Sequence, residues 1–306
     1  MTATITSVLR EPLAGGVGEI WNGDPDMAIE DLPARDIAAA LRKNGALLFR
    51  GFQGDTSAFK RFTDGLCPDF MKYEGGASAR KKVDGHETLL TVTEPSMLHG
   101  IPLHGEMYYM KNRPSVLFFY CKTPASKDGE TTVADGVALY HGLKPETRRY
   151  FSEHKIKYLC TYPDGRWQQL FHTDAPEDVE AHCKANDLDF HLQPDNSVVT
   201  EYVSSAISQP LYCDEPSFIN NIFTMVRWEQ AGFGQRLVRD ENGEPLADEI
   251  IEELQDLEQR LTYPVAWRPG DIMMVDNTRM LHGRRAFDDT GRTIFVRLGG
   301  RLPEFA

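Results

Sequence analysis

The chain has 306 residues, of which 41% are hydrophobic, and a formal net charge of −13 at pH 7. That is enough apolar material for a sizeable core, yet no stretch approaches the ~20 apolar residues that a membrane helix needs. The acidity excludes the basic surface on which non-specific binding of nucleic acid or anionic membranes depends.

Asp36 to Lys43 has helical spacing and stops at Gly45. Ala46 to Phe52 reads as a buried strand, Ser57 to Leu66 as a second helix, and Leu89 to Val92 and Val116 to Cys121 as strands. Lys72, Arg80, Lys81 and Lys82 lie in a Gly/Ser-containing loop that reads as solvated and basic. Asp174-Ala175-Pro176-Glu177 predicts a helix start, with Asp174 as N-cap and Glu177 as its capping-box partner. Phe218, Ile219, Ile222 and Phe223 read as an apolar strand interrupted by Asn220 and Asn221; a polar pair there needs hydrogen-bond partners, in an internal network or on a substrate. Leu246, Ile250, Leu254, Leu257 and Leu261 mark an amphipathic helix. Short strands return at Tyr263 to Trp267, Ile272 to Val275 and Thr293 to Leu298.

No internal repeat interrupts this order. It predicts a mainly β fold with flanking helices: one domain spanning residues 1–306, built on a double-stranded β-helix (a cupin-like jelly-roll) with a long insertion at roughly 140–260. Substrate recognition is expected within the insertion, around Tyr162 to Asn221, because such segments carry binding on rigid scaffolds. Met1 to Gly16 holds no apolar signal core, so the expected location is the cytoplasm. Five cysteines with no Cys-x-x-Cys pair are expected as reduced thiols.

Three side chains point to chemistry. His104-Gly105-Glu106 places an imidazole and a carboxylate at i and i+2, which share one face of a strand. A second imidazole, His282, follows a Pro269-Gly270-Asp271 turn, the strand Ile272 to Val275 and an Asp276-Asn277 turn. Two histidines and one carboxylate are the ligand set of non-haem Fe(II) oxygenases, which leaves one face of the metal open. Arg292 and Arg297 follow His282. An arginine fork holds carboxylates bidentately, so a diacid such as 2-oxoglutarate fits, with one carboxylate at the metal and one at an arginine.

On these residues, from about Ala46 to Arg297, the chain resembles the taurine dioxygenase-like Fe(II)/2-oxoglutarate-dependent oxygenases. Glu106, where that family usually has Asp, is similar to its clavaminate synthase-like branch. Gly129 to Asp135 is a third match. The resemblance implies that Thr131 hydrogen-bonds the distal carboxylate of 2-oxoglutarate and that Arg292, Arg297 or both clamp it. It further implies that His104, Glu106 and His282 hold Fe(II), and that O2 is consumed as 2-oxoglutarate is decarboxylated and an unactivated C–H bond is hydroxylated. Glu106 disfavours halogenation, because related halogenases lack this carboxylate. The implied partner is a small-molecule substrate, an amino acid either free or bound to a carrier protein; a homo-oligomer is compatible with the chain. Two alternatives are a metal-dependent jelly-roll enzyme that does not use 2-oxoglutarate and a non-catalytic binding protein on the same fold. His172-Thr173-Asp174 offers a competing His-x-Asp pair and is set aside, because it precedes a helix start. His99 reads as a loop histidine, while Arg279, Arg284 and Arg285 read as surface or substrate-side charges.

Overall fold

The computed structural model describes residues 8–73, 80–92, 97–232, 234 and 236–305. The chain opens with β1 (Leu9–Pro12), β2 (Glu19–Asn22), α1 (Ala34–Asn44), β3 (Ala46–Arg50) and α2 (Thr56–Leu66). Gly45 ends α1 in the left-handed region (φ 72°), where glycine carries no Cβ penalty, and Asp55 caps α2 by accepting from Ala58 N. Then come β4 (Lys82–Val83), β5 (His86–Thr91), β6 (Ile101–His104), β7 (Val116–Thr123) and β8 (Thr131–Asp135).

The insertion carries α3 (Gly136–Gly142), α4 (Pro145–Glu153), β9 (Ile156–Tyr162), α5 (Arg166–Phe171), α6 (Pro176–Ala185), β10 (Asp189–Leu192), β11 (Val198–Ser204), β12 (Ile207–Ser208), β13 (Ser217–Phe218), α7 (Ile222–Gln230), β14 (Arg236–Asp240) and α8 (Asp248–Leu261). The chain then returns to the barrel with β15 (Tyr263–Val265), β16 (Ile272–Asp276), β17 (Met280–Arg284) and β18 (Thr293–Gly299).

The larger sheet runs β1-β2-β3-β16-β7-β18-β5-β4, and the smaller runs β15-β8-β17-β6. Their inner faces share one apolar cluster that includes Leu48, Leu117, Phe119, Val296, Val133, Leu281 and Leu103. The outer face of the larger sheet, with Leu47, Phe49, Phe118, Tyr120, Met274 and Phe295, packs on Ile37, Leu41, Phe59 and Phe62 of α1 and α2. The central strands β3, β16, β7 and β18 are therefore covered on both faces, which is why they read as continuous apolar runs. The result is the expected jelly-roll with flanking helices. A third sheet, β10-β11-β9-β14, belongs to the insertion. No helix among the described residues is long and apolar enough to cross a membrane, and all five cysteines are free thiols.

Three local expectations are corrected. The apolar run around Asn220 is no strand: β13 stops at Phe218, and Asn221 stands at the N-terminus of α7. Short apolar runs do not distinguish strand from helix. Asp174 does not cap α6; the N-cap is Ala175 with Pro176 next, and Thr173 Oγ1 accepts from Ala175 N while donating to Asp178. Proline at the first helical position has a pre-set φ and no N–H to satisfy. The loop of Lys72 to Lys82 is solvated at Lys72, Lys81 and Lys82 but not at Arg80, whose side chain is only 8% exposed; residues 74–79 lie outside the described residues.

Candidate metal centre

β6 and β17 pair so that His104 lies directly across from His282. The ring centroids are 4.3 Å apart. The strand ends at His104, so Glu106 sits in the turn beyond it rather than two places along a strand. Gly105 permits that turn: a Cβ there would lie 2.3 Å from the Tyr108 ring. Its N–H donates to Asn220 O (2.9 Å). Met107 follows in the left-handed region (φ 62°).

Asn277 locks the turn from the distant β16–β17 connection. Its Oδ1 accepts from Glu106 N (2.8 Å), and its Nδ2 donates to Glu106 O (3.1 Å) and Pro114 O (2.8 Å). Tyr108 Oη donates to Asn277 O (3.0 Å). The ladder thus positions two of the candidate donors, and a buried amide positions the third.

His104 Nδ1 lies 3.0 Å from Pro102 O, which assigns the proton to Nδ1 and leaves Nε2 with a lone pair for a metal. Burial, then the neighbouring His282, pushes the His104 imidazole down to about 4, so it is neutral at physiological pH. His282 Nε2 lies 3.6 Å from Glu106 Oε2. Burial alone would raise the Glu106 carboxyl, but Arg80 and the two histidines together hold it well below the ordinary carboxylate range. One donor atom from each of His104, Glu106 and His282 lies within 4.8 Å of the others, and this is the one such group among the described residues. Two imidazoles and one carboxylate converging in this way fit a divalent iron with an open face. His172 and Asp174 are exposed and outside this group.

The same cavity is lined by Thr131 and Arg292. Trp267 Nε1 donates to Thr131 Oγ1 (3.0 Å), so the hydroxyl proton of Thr131 is free to donate elsewhere. Arg292 Nε donates to Gly129 O (2.9 Å). Arg284 pairs across the ladder from Thr131 and also lines the cavity, with Nη2 donating to Met97 O and His99 O. Burial pushes Arg284 and Arg292 down to about 10, Arg284 further by the charge of Arg292; both remain cations at neutral pH. Arg285 points outward towards Glu130, His99 is exposed, and Arg279 is bound to Asp135.

Arg297 is not brought to the cavity. On β18, Ile294, Val296 and Leu298 face the inner cluster, so Arg297 shares the outer face with Phe295. There it is 3% exposed, donates to Thr63 Oγ1 (2.5 Å), Asp64 Oδ1 (2.7 Å) and Lys60 O (3.2 Å), and stacks on Phe70. Of the two arginines, only Arg292 is placed to meet a ligand in the cavity.

Sequence reasoning did not find Asn277, Trp267, Arg80 or Arg236. Asn277 and Trp267 bond atoms far away along the chain, and no motif marks that. Arg80 Nη2 meets both Glu106 oxygens at 2.9 Å, and Arg236 enters the cavity from β14. Asn221 also lines it, whereas Asn220 is used internally, on Ile222 N and Ala206 O.

A two-histidine, one-carboxylate set on a jelly-roll scaffold is the ligand set of non-haem iron oxygenases. The sequence model of the family described as "Taurine catabolism dioxygenase TauD, TfdA family" matches residues 10–298. The chain is 28% identical over 267 residues to the dapdiamide synthesis protein DdaC of Enterobacter agglomerans, covering 81% of this chain and 80% of that one. It is also 28% identical over 272 residues to a clavaminate synthase-like protein of Arabidopsis thaliana, covering 83% and 81%. A solved structure of PvcB from Pseudomonas aeruginosa shares the fold, with a TM-score of 0.63, 18% identity and coverage of 98% of this chain and 95% of that one. The chain belongs to the TauD/TfdA dioxygenase family. It is an enzyme that depends on Fe(II) and 2-oxoglutarate and takes O2 as cosubstrate.

Proposed function

We propose that this enzyme hydroxylates an unactivated C–H bond of a small molecule, an amino acid or amino-acid derivative, either free or carrier-bound. The observation that carries the reading is the convergence of His104, Glu106 and His282 with Thr131 and Arg292 on one cavity. His104 Nε2, His282 Nε2 and a Glu106 oxygen would hold the iron. Bound there with 2-oxoglutarate and O2, the iron supplies an oxidant that puts one oxygen atom into the substrate C–H bond as the cosubstrate leaves as succinate and CO2. Arg292 and the Thr131 hydroxyl would hold the distal carboxylate, with Trp267 fixing which way Thr131 donates. Glu106 fills the third protein position with a carboxylate, which favours hydroxylation over halogenation. Val92, Ile101, Phe119 and Met225 supply the apolar wall that keeps water from the reacting carbon.

The test is succinate release by the Fe(II)-loaded enzyme against a panel of amino acids and carrier-bound aminoacyl groups. A true substrate raises release over the substrate-free rate and gains one oxygen atom by mass. Release that no compound stimulates, together with no oxygenated product, would count against the reading.

A further inference from the structure

Besides Arg284 and Arg292, the cavity is lined by two further arginines, Arg236 and Arg80. Arg236, the first residue of β14, lies opposite Cys160 of β9 in the insertion sheet. Its guanidinium stands 5.4 Å from the ring centre of Tyr109, 5.5 Å from Trp228 and 5.6 Å from Tyr162. Its one hydrogen-bond acceptor among the described residues is Cys160 Sγ, at 3.9 Å, and no described carboxylate lies within ion-pair distance. Arg80 stacks on Tyr73 (4.2 Å) and gives Nη2 to Glu106, while its Nε and Nη1 are buried without a partner. Tyr109 Oη and Asn221 Oδ1 are buried and unpartnered as well. Among the described lining residues the single carboxylate is Glu106, which serves the metal site.

A buried cation without a counter-charge is costly, and aromatic faces recover only part of that cost. The missing partner is an anion that arrives with a ligand. 2-Oxoglutarate does not supply it, because its two carboxylates are used at the iron and at Arg292. We propose that Arg236, with Tyr109 Oη and the unpartnered edge of Arg80, receives an acidic group of the substrate, which is therefore a free organic acid with an apolar body. This rests on the functional reading above and narrows it. A free amino acid presents such a carboxylate, whereas an aminoacyl thioester on a carrier has none at its acyl carbon.

The test is calorimetric titration, without O2, of the Mn(II)- and 2-oxoglutarate-loaded enzyme with octanoate and 3-phenylpropionate, each beside its primary amide. The acids should bind about tenfold or more tightly than the amides, as expected for a charge-assisted hydrogen bond in a buried site. Arg236→Met should abolish that preference and Arg236→Lys should keep part of it, while both still bind 2-oxoglutarate, which shows that they are folded. Equal affinity of acid and amide, no binding by either acid, or a preference that survives Arg236→Met would overturn the proposal. Failure of the wild-type enzyme to bind 2-oxoglutarate would instead remove the functional reading beneath it.

Discussion

Exchanging Arg292 and Arg297 for methionine, one at a time, should give opposite phenotypes. Arg292 lines the cavity and makes one structural hydrogen bond, to Gly129 O. Its loss should cost the fold about 1 kcal/mol, but it removes the charged partner of a carboxylate, worth ~1.5–3 kcal/mol. At ~1.4 kcal/mol per factor of ten, the KM for 2-oxoglutarate should rise roughly 10- to 100-fold. Arg297 sits on the other face of the sheet, bonded to Thr63, Asp64 and Lys60. Breaking a buried ion pair costs ~3–5 kcal/mol, but Asp64 keeps 42% of its side chain in water and screening trims the loss to roughly 3 kcal/mol. Arg297→Met should therefore lower Tm by several degrees and leave the KM for 2-oxoglutarate within about twofold, because no cavity contact is lost. Succinate release against 2-oxoglutarate concentration gives the first quantity and thermal unfolding the second. A large KM increase in Arg297→Met with an unchanged Tm would refute the assignment.

Other outcomes follow from individual contacts. Asn277→Ala removes the bonds that fix the Glu106 backbone, and Mn(II) affinity should fall ~10- to 100-fold, as for outer-shell partners of metal ligands; unchanged affinity in a folded variant would contradict that role. Trp267→Phe removes the donor to Thr131 Oγ1 at a cost of about 1 kcal/mol, so the KM for 2-oxoglutarate should rise several-fold; an effect on substrate KM alone would not fit. Asp276 is buried, with Oδ2 unpartnered, and burial raises its carboxyl to about 6 despite the Thr278 hydrogen bonds. A raised folded-state value means that the native state holds the proton more tightly, so stability is lost as pH rises from about 4 through about 6. Asp276→Asn should gain on the wild type across that window, by up to about 3 kcal/mol at pH 7; a stability difference that stays flat from pH 4 to pH 7 in urea titrations would refute it.

The three candidate metal donors could be singled out in the sequence because the chemistry restricts such donors to few residue types, and the fold brings them together. The turns before His282 gave that histidine its context, although Glu106 proved to lie beyond the strand end. Arg297 was ambiguous for a physical reason: β18 is buried on both faces, so its apolar run hides which parity looks inward. The fork between Arg292 and Arg297 could be resolved only by knowing that Val296 faces the barrel. Asn277 and Trp267 act through single bonds to atoms of Glu106 and Thr131, far along the chain, which periodicity cannot report. Arg80 read as solvated because its neighbours Lys81 and Lys82 are. Arg236 lies outside the segment expected to recognise substrate, and it reaches the cavity only because β14 pairs with β9.

His104, Glu106 and His282 are proposed to form one iron site at which 2-oxoglutarate binds. Anaerobic addition of Fe(II) and 2-oxoglutarate to the metal-free protein tests it most directly, read as the visible charge-transfer band of the iron–keto-acid chelate. The expected band saturates at one iron per chain, vanishes in Glu106→Ala and His282→Ala, and persists in His172→Ala. Iron binding without the band, or a band lost in His172→Ala and kept in Glu106→Ala, would contradict it.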